Sequence, residues 1–97
     1  MVRRVVLLKW KDGTTAAQIE AVTAGLSTLP GQIPEIRSYT HGPDVGAEAG
    51  AFDYGIVADF DDVDAWRVYD THPVHDKVRV EMIRPHIAER APIVFTL

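Results

Sequence analysis

Hydrophobic residues dominate the first segment of the chain in a pattern typical of a β-strand. Residues Val2 to Trp10 are rich in valine and leucine. Side chains alternate between the two faces of a strand, so Val5 and Leu7 lie on one face and Val6 and Leu8 on the other. A strand that is apolar on both faces has to be covered twice. We expect a helix to cover one face and a second copy of the chain to cover the other.

Helical spacing follows this strand. Thr15, with Gln18 three residues later, is a capping-box pattern that predicts the start of a helix. Pro30 and Gly31 predict its end. The apolar side chains between them recur about one helical turn apart and form a single stripe, made of Ile19, Val22, Leu26 and Leu29.

Two further strands are predicted on either side of a glycine-rich loop. The segment from Ile36 to His41 is more polar than the first strand, which places it nearer the edge of a sheet. From Gly42 to Asp53 the small residues predict a connection of about a dozen residues, long enough to act as a lid. The segment from Tyr54 to Phe60 has alternating apolar positions and predicts a third strand.

A second helical region comes next and is interrupted by a proline. Asp61 and Asp62 supply a cap and negative charge for its N-terminus. Pro73 interrupts the helix, because proline disfavours helical geometry in the residue before it. Proline also favours the first helical position, so a further helical segment is expected to begin there. The apolar stripe of that segment would comprise His75, Val78 and Met82, with Ile83 beside them.

The order of these elements predicts the fold. Arg84 and Pro85 end the last helical segment, and Ile93 to Leu97 closes the chain as a fourth strand. The order β-α-β-β-α-β, in one domain over residues 1–97, predicts an α+β, ferredoxin-like fold: a four-stranded antiparallel sheet with both helices on one face. The other face is too apolar to remain in water. We therefore expect two subunits to stack their sheets into a homodimeric α/β barrel.

Composition and charge narrow the class of protein. A chain of 97 residues with 46% hydrophobic and 25% charged residues is a globular domain too small for two cores. Its net charge of −4 argues against a nucleic-acid partner. It has no cysteine, which excludes disulfides and thiolate metal ligands. The apolar run from Val5 to Leu8 is too short for a signal segment or a membrane span, so we expect a cytoplasmic protein without a membrane partner.

The stretch YDTHPVH carries the candidate chemistry. It places one phenol and two imidazoles within seven residues. A neutral imidazole can take a proton from a carbon next to a carbonyl, and a phenol can hold that imidazole or polarise the carbonyl. His75 and Tyr69 are therefore the candidate catalytic residues. The structural alternative is that the His75 ring packs on the helix stripe and bonds a backbone carbonyl or the tyrosine.

The other histidine of this stretch has a simpler interpretation. His72 precedes a proline and stands where a helix N-cap belongs, so we expect it to shape the turn. His72, His75 and Asp76 would be suitable metal ligands by residue type. Pro73 breaks their spacing and directs the two imidazoles apart, so we predict no metal site.

A resemblance to a known family is carried by four segments: VVLLKWKDGTTAAQIE, LPGQIPEIRSY, FDYGIVADFDDVDAWRVYDTHPVHDKV and PIVFTL. They resemble the stress-responsive dimeric α/β-barrel (Dabb) family, and the match covers essentially the whole chain. The H-P-x-H turn from His72 to His75 is its most specific feature. The resemblance implies a homodimer of ferredoxin-like subunits whose sheets form a shared barrel.

The resemblance also implies a chemistry. One plant member of the family cyclises a linear polyketide thioester without a cofactor, and its catalytic tyrosine and histidine fall on Tyr69 and His75. No metal or cofactor is implied. That enzyme has histidines where this chain has Arg4 and Tyr54, which implies a different pocket and a different substrate. We expect the pocket to be lined by Arg4, Tyr54, Trp66, Val78 and Met82.

These observations predict a small pocket that binds, cyclises or isomerises a small apolar carbonyl or polyketide-like compound. One alternative is a non-enzymatic dimer that acts in stress tolerance as a binding or structural protein. Another is a monooxygenase or a haem-handling enzyme, because dimeric α/β barrels include both, and a helix histidine can bind haem iron.

Overall fold

The structure, a computed structural model, describes residues 1–97. Its sheet contains the strands β1 (Val2–Trp10), β2 (Ser38–Pro43), β3 (Tyr54–Phe60) and β4 (Ile87–Thr96). Its helices are α1 (Ala16–Ser27), α2 (Val63–Asp70) and α3 (Pro73–Val78), and a π turn (Arg79–Ile83) and a 3-10 turn (Arg84–His86) join α3 to β4. All neighbouring strands are antiparallel, in the order β2-β3-β1-β4. This arrangement confirms the predicted ferredoxin-like α+β fold.

The central strand β1 has one face buried under the helices and one face turned away from them. The buried side chains alternate along the strand and are Val2, Arg4, Val6, Leu8 and Trp10. Below we call this the inner face of the sheet. An arginine among these residues is unusual, since charged side chains are almost never buried without a partner.

The outer face of the sheet, which the helices leave uncovered, is apolar at its centre. Val5 on β1 lies between Val57 on β3 and Ile93 on β4. Leu7, Ile93 and Phe95 remain 38%, 58% and 42% exposed. A contiguous apolar surface of this kind marks an interaction site more often than a free surface.

Helix α1 begins as the sequence predicts. The Thr15 hydroxyl accepts from the Gln18 amide at 3.2 Å, and the Gln18 side chain accepts from the Thr15 amide at 2.9 Å. The helix ends at Ser27, before the predicted stop at Pro30. Leu29 lies in the turn that follows and is still completely buried.

Two strand boundaries differ from the prediction. Strand β2 begins at Ser38 rather than Ile36, because the Ile36 amide bonds the Ile33 carbonyl at 3.2 Å and closes a turn. Strand β4 begins at Ile87 rather than Ile93 and pairs with the full length of β1. Its first half mixes small apolar with charged residues and lacks the apolar alternation that identifies a strand. Pro92 fits within it, since β4 is an edge strand.

The segment after α2 begins a new helix where the sequence predicts it, but this helix does not continue as a regular α-helix. His72 caps α3, with its Nδ1 accepting from the Val74 amide at 3.2 Å, and Pro73 is the first helical residue. The π turn that follows was not predicted.

None of the helices has the length and hydrophobicity needed to cross a membrane.

Candidate functional site

A cavity of about 120 Å³ lies between the inner face of the sheet and the segment from α3 to the 3-10 turn. Residues from every layer of the fold meet around it. Its apolar wall consists of Val6, Leu8, Leu26, Ile56, Ile83 and Ile87. Its polar groups are Arg4, Tyr69, His75, Arg79, Arg84 and Arg90. The predicted catalytic pair and Arg4 therefore line one cavity.

His75 is held in this cavity in a defined orientation. Its Nδ1 lies 3.1 Å from the backbone carbonyl of Asp70. A carbonyl oxygen only accepts, so Nδ1 carries the hydrogen and Nε2 of the neutral ring has a free lone pair. Burial lowers the pKa of His75 below its ordinary value of 6.5, an effect that the hydrogen bond to the Asp70 carbonyl partly offsets and the nearby Arg79 charge reinforces. Near neutral pH the ring is therefore an uncharged base.

Tyr69 contacts His75 through its ring rather than its hydroxyl. The two ring centroids are 4.2 Å apart and the planes are inclined by 26°. The Tyr69 hydroxyl instead lies 2.7 Å from the hydroxyl of Tyr39 on β2. The Tyr69 hydroxyl therefore does not hold the imidazole by a hydrogen bond, which was one of the two roles expected for it. The His75 ring is held in place by stacking against the Tyr69 ring and by its hydrogen bond to the Asp70 carbonyl.

The Tyr39–Tyr69 pair keeps both protons at neutral pH. Burial raises the pKa of Tyr39 strongly and raises that of Tyr69, which the hydrogen bond from Tyr39 partly offsets. Sequence reasoning missed Tyr39. The available signal was its position in β2, since it pairs with Ala58, which in turn pairs with Arg4 on the inner face.

Arg4 lies beside these tyrosines and is only 7% exposed. It forms no ion pair or hydrogen bond, and its Nε is shielded from solvent. Its guanidinium carbon lies 5.8 Å from the centroid of the Trp66 ring. Burial, the main influence, lowers the pKa of Arg4. Trp66 does not line the cavity; it borders an adjoining groove of about 350 Å³.

The other arginines of the cavity differ in how their charge is compensated. Arg79 is paired with Asp76 at 2.8 Å and with Asp70 at 3.3 Å. Arg84 and Arg90 have no ion-pair partner. Three of the four arginines around the cavity, including Arg4, are therefore uncompensated.

Val78 and Met82 do not line the cavity, contrary to the prediction. They face α1 at Gly25, where a β-carbon would lie 2.6 Å from the Met82 sulfur and 3.4 Å from a Val78 methyl. The π turn, which begins after Val78, explains the difference for Met82. It adds one residue to the turn, so Ile83 rather than Met82 returns to the face that carries His75.

Tyr54 also lies outside the cavity, in a separate polar cluster beneath α1. Its hydroxyl is 2.9 Å from His41 Nδ1 and 2.7 Å from the Thr23 hydroxyl. His41 Nε2 is 3.2 Å from the Ser27 hydroxyl. The cluster satisfies the polar groups under the helix, and none of its members belongs to the lining of the cavity.

The alternative metal site does not assemble. Asp76 pairs with Arg79, and His72 Nδ1 accepts from the Val74 amide. No three histidine, cysteine, aspartate or glutamate side chains are grouped so that they could hold a metal ion.

Several solved structures share this fold. A dimeric ferredoxin-like protein of unknown function from Thermobifida fusca YX is 40% identical, with a TM-score of 0.92 over 99% of this chain and 90% of that one. A dimeric protein of unknown function from Bacteroides fragilis is 21% identical, with a TM-score of 0.88 over 99% of this chain and 95% of that one. A hydroxynitrile lyase from Passiflora edulis is 20% identical, with a TM-score of 0.85 over 99% of this chain and 92% of that one.

Sequence comparison places the chain in a family. No protein with a curated functional description is similar enough in sequence to match it. The family model of the stress responsive A/B barrel domain (Dabb) matches residues 2–95. With nearly the whole chain matched and a 40% identical relative of the same fold, the protein belongs to the Dabb family.

Proposed function

We propose that this protein catalyses cofactor-free proton transfer on a small carbonyl compound, with His75 as the general base. The observation that carries the proposal is the orientation of the imidazole. Nδ1 donates to the Asp70 carbonyl at 3.1 Å, so the free lone pair is on Nε2, which makes no hydrogen bond within the protein. A neutral imidazole in a partly apolar cavity is suited to accept a proton from carbon.

The proposed step begins with transfer of a proton from the carbon next to the carbonyl to His75 Nε2. The electron pair of the broken C–H bond forms a carbon–carbon double bond, and the carbonyl oxygen takes the negative charge. Return of the proton to another position isomerises the substrate. Alternatively, attack of the same carbon on a second carbonyl within the substrate cyclises it, the π electrons of that carbonyl move to its oxygen, and this alkoxide takes back the proton from His75 Nε2. Neither outcome requires an oxidant or a reductant.

The tyrosine pair supports this step by stabilising the developing oxyanion. Either hydroxyl of the pair can donate across the 2.7 Å contact, and in the proposed arrangement the Tyr39 hydroxyl donates to the Tyr69 oxygen. The hydrogen of Tyr69 is then free to point into the cavity toward the carbonyl oxygen. A preorganised donor of this kind stabilises the transition state more than the ground state.

The dimensions of the cavity favour a small substrate. Its volume of about 120 Å³ is below the roughly 300–1,000 Å³ of ordinary ligand pockets. A cavity of roughly 150 Å³ holds a benzene ring. The volume therefore argues against a haem group or a long polyketide. A hydroxynitrile lyase with the same fold supports the idea that such a barrel can host lyase chemistry.

We also propose that the chain forms a homodimer through the outer face of its sheet. Two similar proteins are described as dimeric. The outer face exposes Leu7, Ile93 and Phe95, and a second copy stacked on it would cover all three. The two sheets would then enclose the barrel that the family name describes.

Proton exchange in heavy water tests the catalytic proposal. We expect the wild-type protein to accelerate loss of the α-proton NMR signal of small ketones and oxo acids, and His75→Gln to lose at least about a hundredfold of this rate. His41→Gln is the matched control, because this histidine lies in the other polar cluster. Equal rates for wild type and His75→Gln would contradict the proposal and favour a non-enzymatic binding role.

A further inference from the structure

We infer that the cavity takes an anion: a small carboxylate whose apolar body enters the cavity and whose charge is bound by Arg4, with Arg84 and Arg90 at the opening. The inference rests on the proposed function for the view that the cavity is the substrate site. The proposed function requires only a carbonyl group, which is neutral. The inference adds that the ligand also carries a negative charge.

The distribution of charge points to an anion. The chain as a whole carries a net charge of −4, yet four arginines and no acidic residue line the cavity. The carboxylates of Asp70 and Asp76 are both engaged by Arg79. The unpaired positive charge around the cavity is therefore that of Arg4, Arg84 and Arg90.

Arg4 is the group that most requires a partner. It is only 7% exposed, its Nε is shielded from solvent without a hydrogen-bond partner, and it has no ion pair with a carboxylate. Removing an ion from water without pairing it is costly. The face of Trp66, 5.8 Å away, compensates only part of this cost. A bound carboxylate would supply the missing acceptor.

The polarity of the walls sets the orientation of the ligand. Six aliphatic side chains form the apolar part of the cavity. Arg4, Arg79 and Arg90 line both the cavity and the open groove beside it, so they mark the boundary between the two. An amphiphilic anion would place its apolar body inside and its charge at this boundary.

A carboxylate fits this boundary better than a phosphate ester. Guanidinium and carboxylate are both planar and form paired hydrogen bonds. A carboxylate also adds few atoms to a ligand that has to fit a volume of about 120 Å³. In an oxo acid, the carboxylate at Arg4 would direct the neighbouring carbonyl toward His75, which lines the same cavity.

Calorimetric titration with three probes that share a phenyl ring tests the inference. We expect benzoate to bind the wild-type protein at least about tenfold more tightly than benzamide, its neutral analogue. We expect its affinity to fall as salt is added. Benzoate binding no tighter than benzamide would overturn the inference. Tighter binding of phenyl phosphate than of benzoate would overturn the choice of a carboxylate.

Two variants assign the binding group. Arg4→Met removes an unpaired buried charge, so we expect it to raise the melting temperature of the free protein and to abolish benzoate binding. Arg90→Gln alters an exposed residue and should weaken binding by at least about threefold while the fold stays intact. Arg67→Gln, on α2 and outside the cavity lining, is the control that should leave binding unchanged. Retained benzoate affinity in both Arg4→Met and Arg90→Gln would contradict the assignment.

The binding and exchange experiments separate the two proposals. Benzoate binding that depends on Arg4, without proton exchange on any carbonyl compound, sustains the inference and contradicts the proposed catalysis. Exchange of neutral ketones that requires His75, without preference for benzoate over benzamide, sustains the catalysis and overturns the inference.

Discussion

The ring of Tyr69 lies on the ring of His75, with centroids 4.2 Å apart and planes inclined by 26°. The polar ends of the two side chains bond elsewhere: the phenol to Tyr39 and the imidazole to the Asp70 carbonyl. Tyr69 therefore positions the proposed base through its ring, while its hydroxyl remains part of a second hydrogen-bonded pair.

Removing the hydroxyl of Tyr39 should destabilise the protein through Tyr69. Tyr39→Phe leaves the hydroxyl of Tyr69, which is only 2% exposed, without its partner, and we expect a loss of about 1–3 kcal/mol in the free energy of unfolding. Tyr69→Phe should cost less than this in the Tyr39→Phe background than in the wild type, because the shared bond is lost only once. Urea denaturation of the four proteins measures the coupling. Strictly additive losses would show that the hydroxyl pair does not contribute to stability.

The stability of the protein should depend on pH through His75. Burial lowers its pKa in the folded protein, so between that pKa and the ordinary 6.5 the unfolded chain binds more protons. The contribution to the free energy of unfolding is therefore fully present above about pH 6.5 and is lost as the pH falls through the folded pKa. His41, whose pKa burial also lowers, acts in the same direction.

Urea denaturation from about pH 7.5 to about pH 4.5 measures this dependence. The loss of stability on acidification should be smaller in His75→Gln than in the wild type, and smaller again when His41→Gln is added. The proposed proton exchange should fall over the same range, because the base becomes protonated. Identical pH dependence in wild type and His75→Gln would contradict the expected lowering of the pKa.

The contact between Gly25 and Met82 should couple α1 to the π turn. Gly25→Ala places a β-carbon 2.6 Å from the Met82 sulfur, which must then move. In the Met82→Ala background that obstacle is absent, and alanine gains about 1 kcal/mol over glycine within a helix. That gain is the same in both backgrounds and cancels between them, whereas overpacking against Met82 costs about 1–3 kcal/mol in the wild type alone. We therefore expect Gly25→Ala to be at least about 1 kcal/mol more favourable in the Met82→Ala background than in the wild type. Equal effects in both backgrounds would mean that Met82 moves aside at no cost.

A charge on the outer face should separate the proposed dimer. Ile93→Glu places a carboxylate at the centre of the apolar surface, and we expect the dimer to be weakened by at least about a hundredfold. Val68→Glu, on α2 and similarly exposed at 47% against 58%, is the control that should leave the dimer intact. Light scattering over a concentration series reports the mass. A monomeric wild-type protein would contradict the proposed dimer.

Local patterns in the sequence determined most of the fold. The double apolar alternation in β1, the Thr15–Gln18 capping box and the His72–Pro73 break each depend on residues close together in the chain. Interactions at short separation and the periods of helix and strand are fixed by backbone geometry, so they can be predicted without knowing the partners. The start of β4 could not be predicted in this way, because its first half is held by pairing with β1 and carries no apolar alternation of its own.

The site required the tertiary structure. His75 and Tyr69 were identified from one short stretch, but Tyr39 reaches Tyr69 only through the pairing of β2 with β3, and Arg90 reaches Arg4 only through the closing strand. The single residue added by the π turn rotates Met82 away from the cavity and brings Ile83 to it. Sequence periodicity assumes a regular helix and cannot register that rotation, since it depends on how the segment packs against α1 and ends before Pro85. The sequence thus determined the fold and the proposed base, whereas long-range packing decided which charges surround that base.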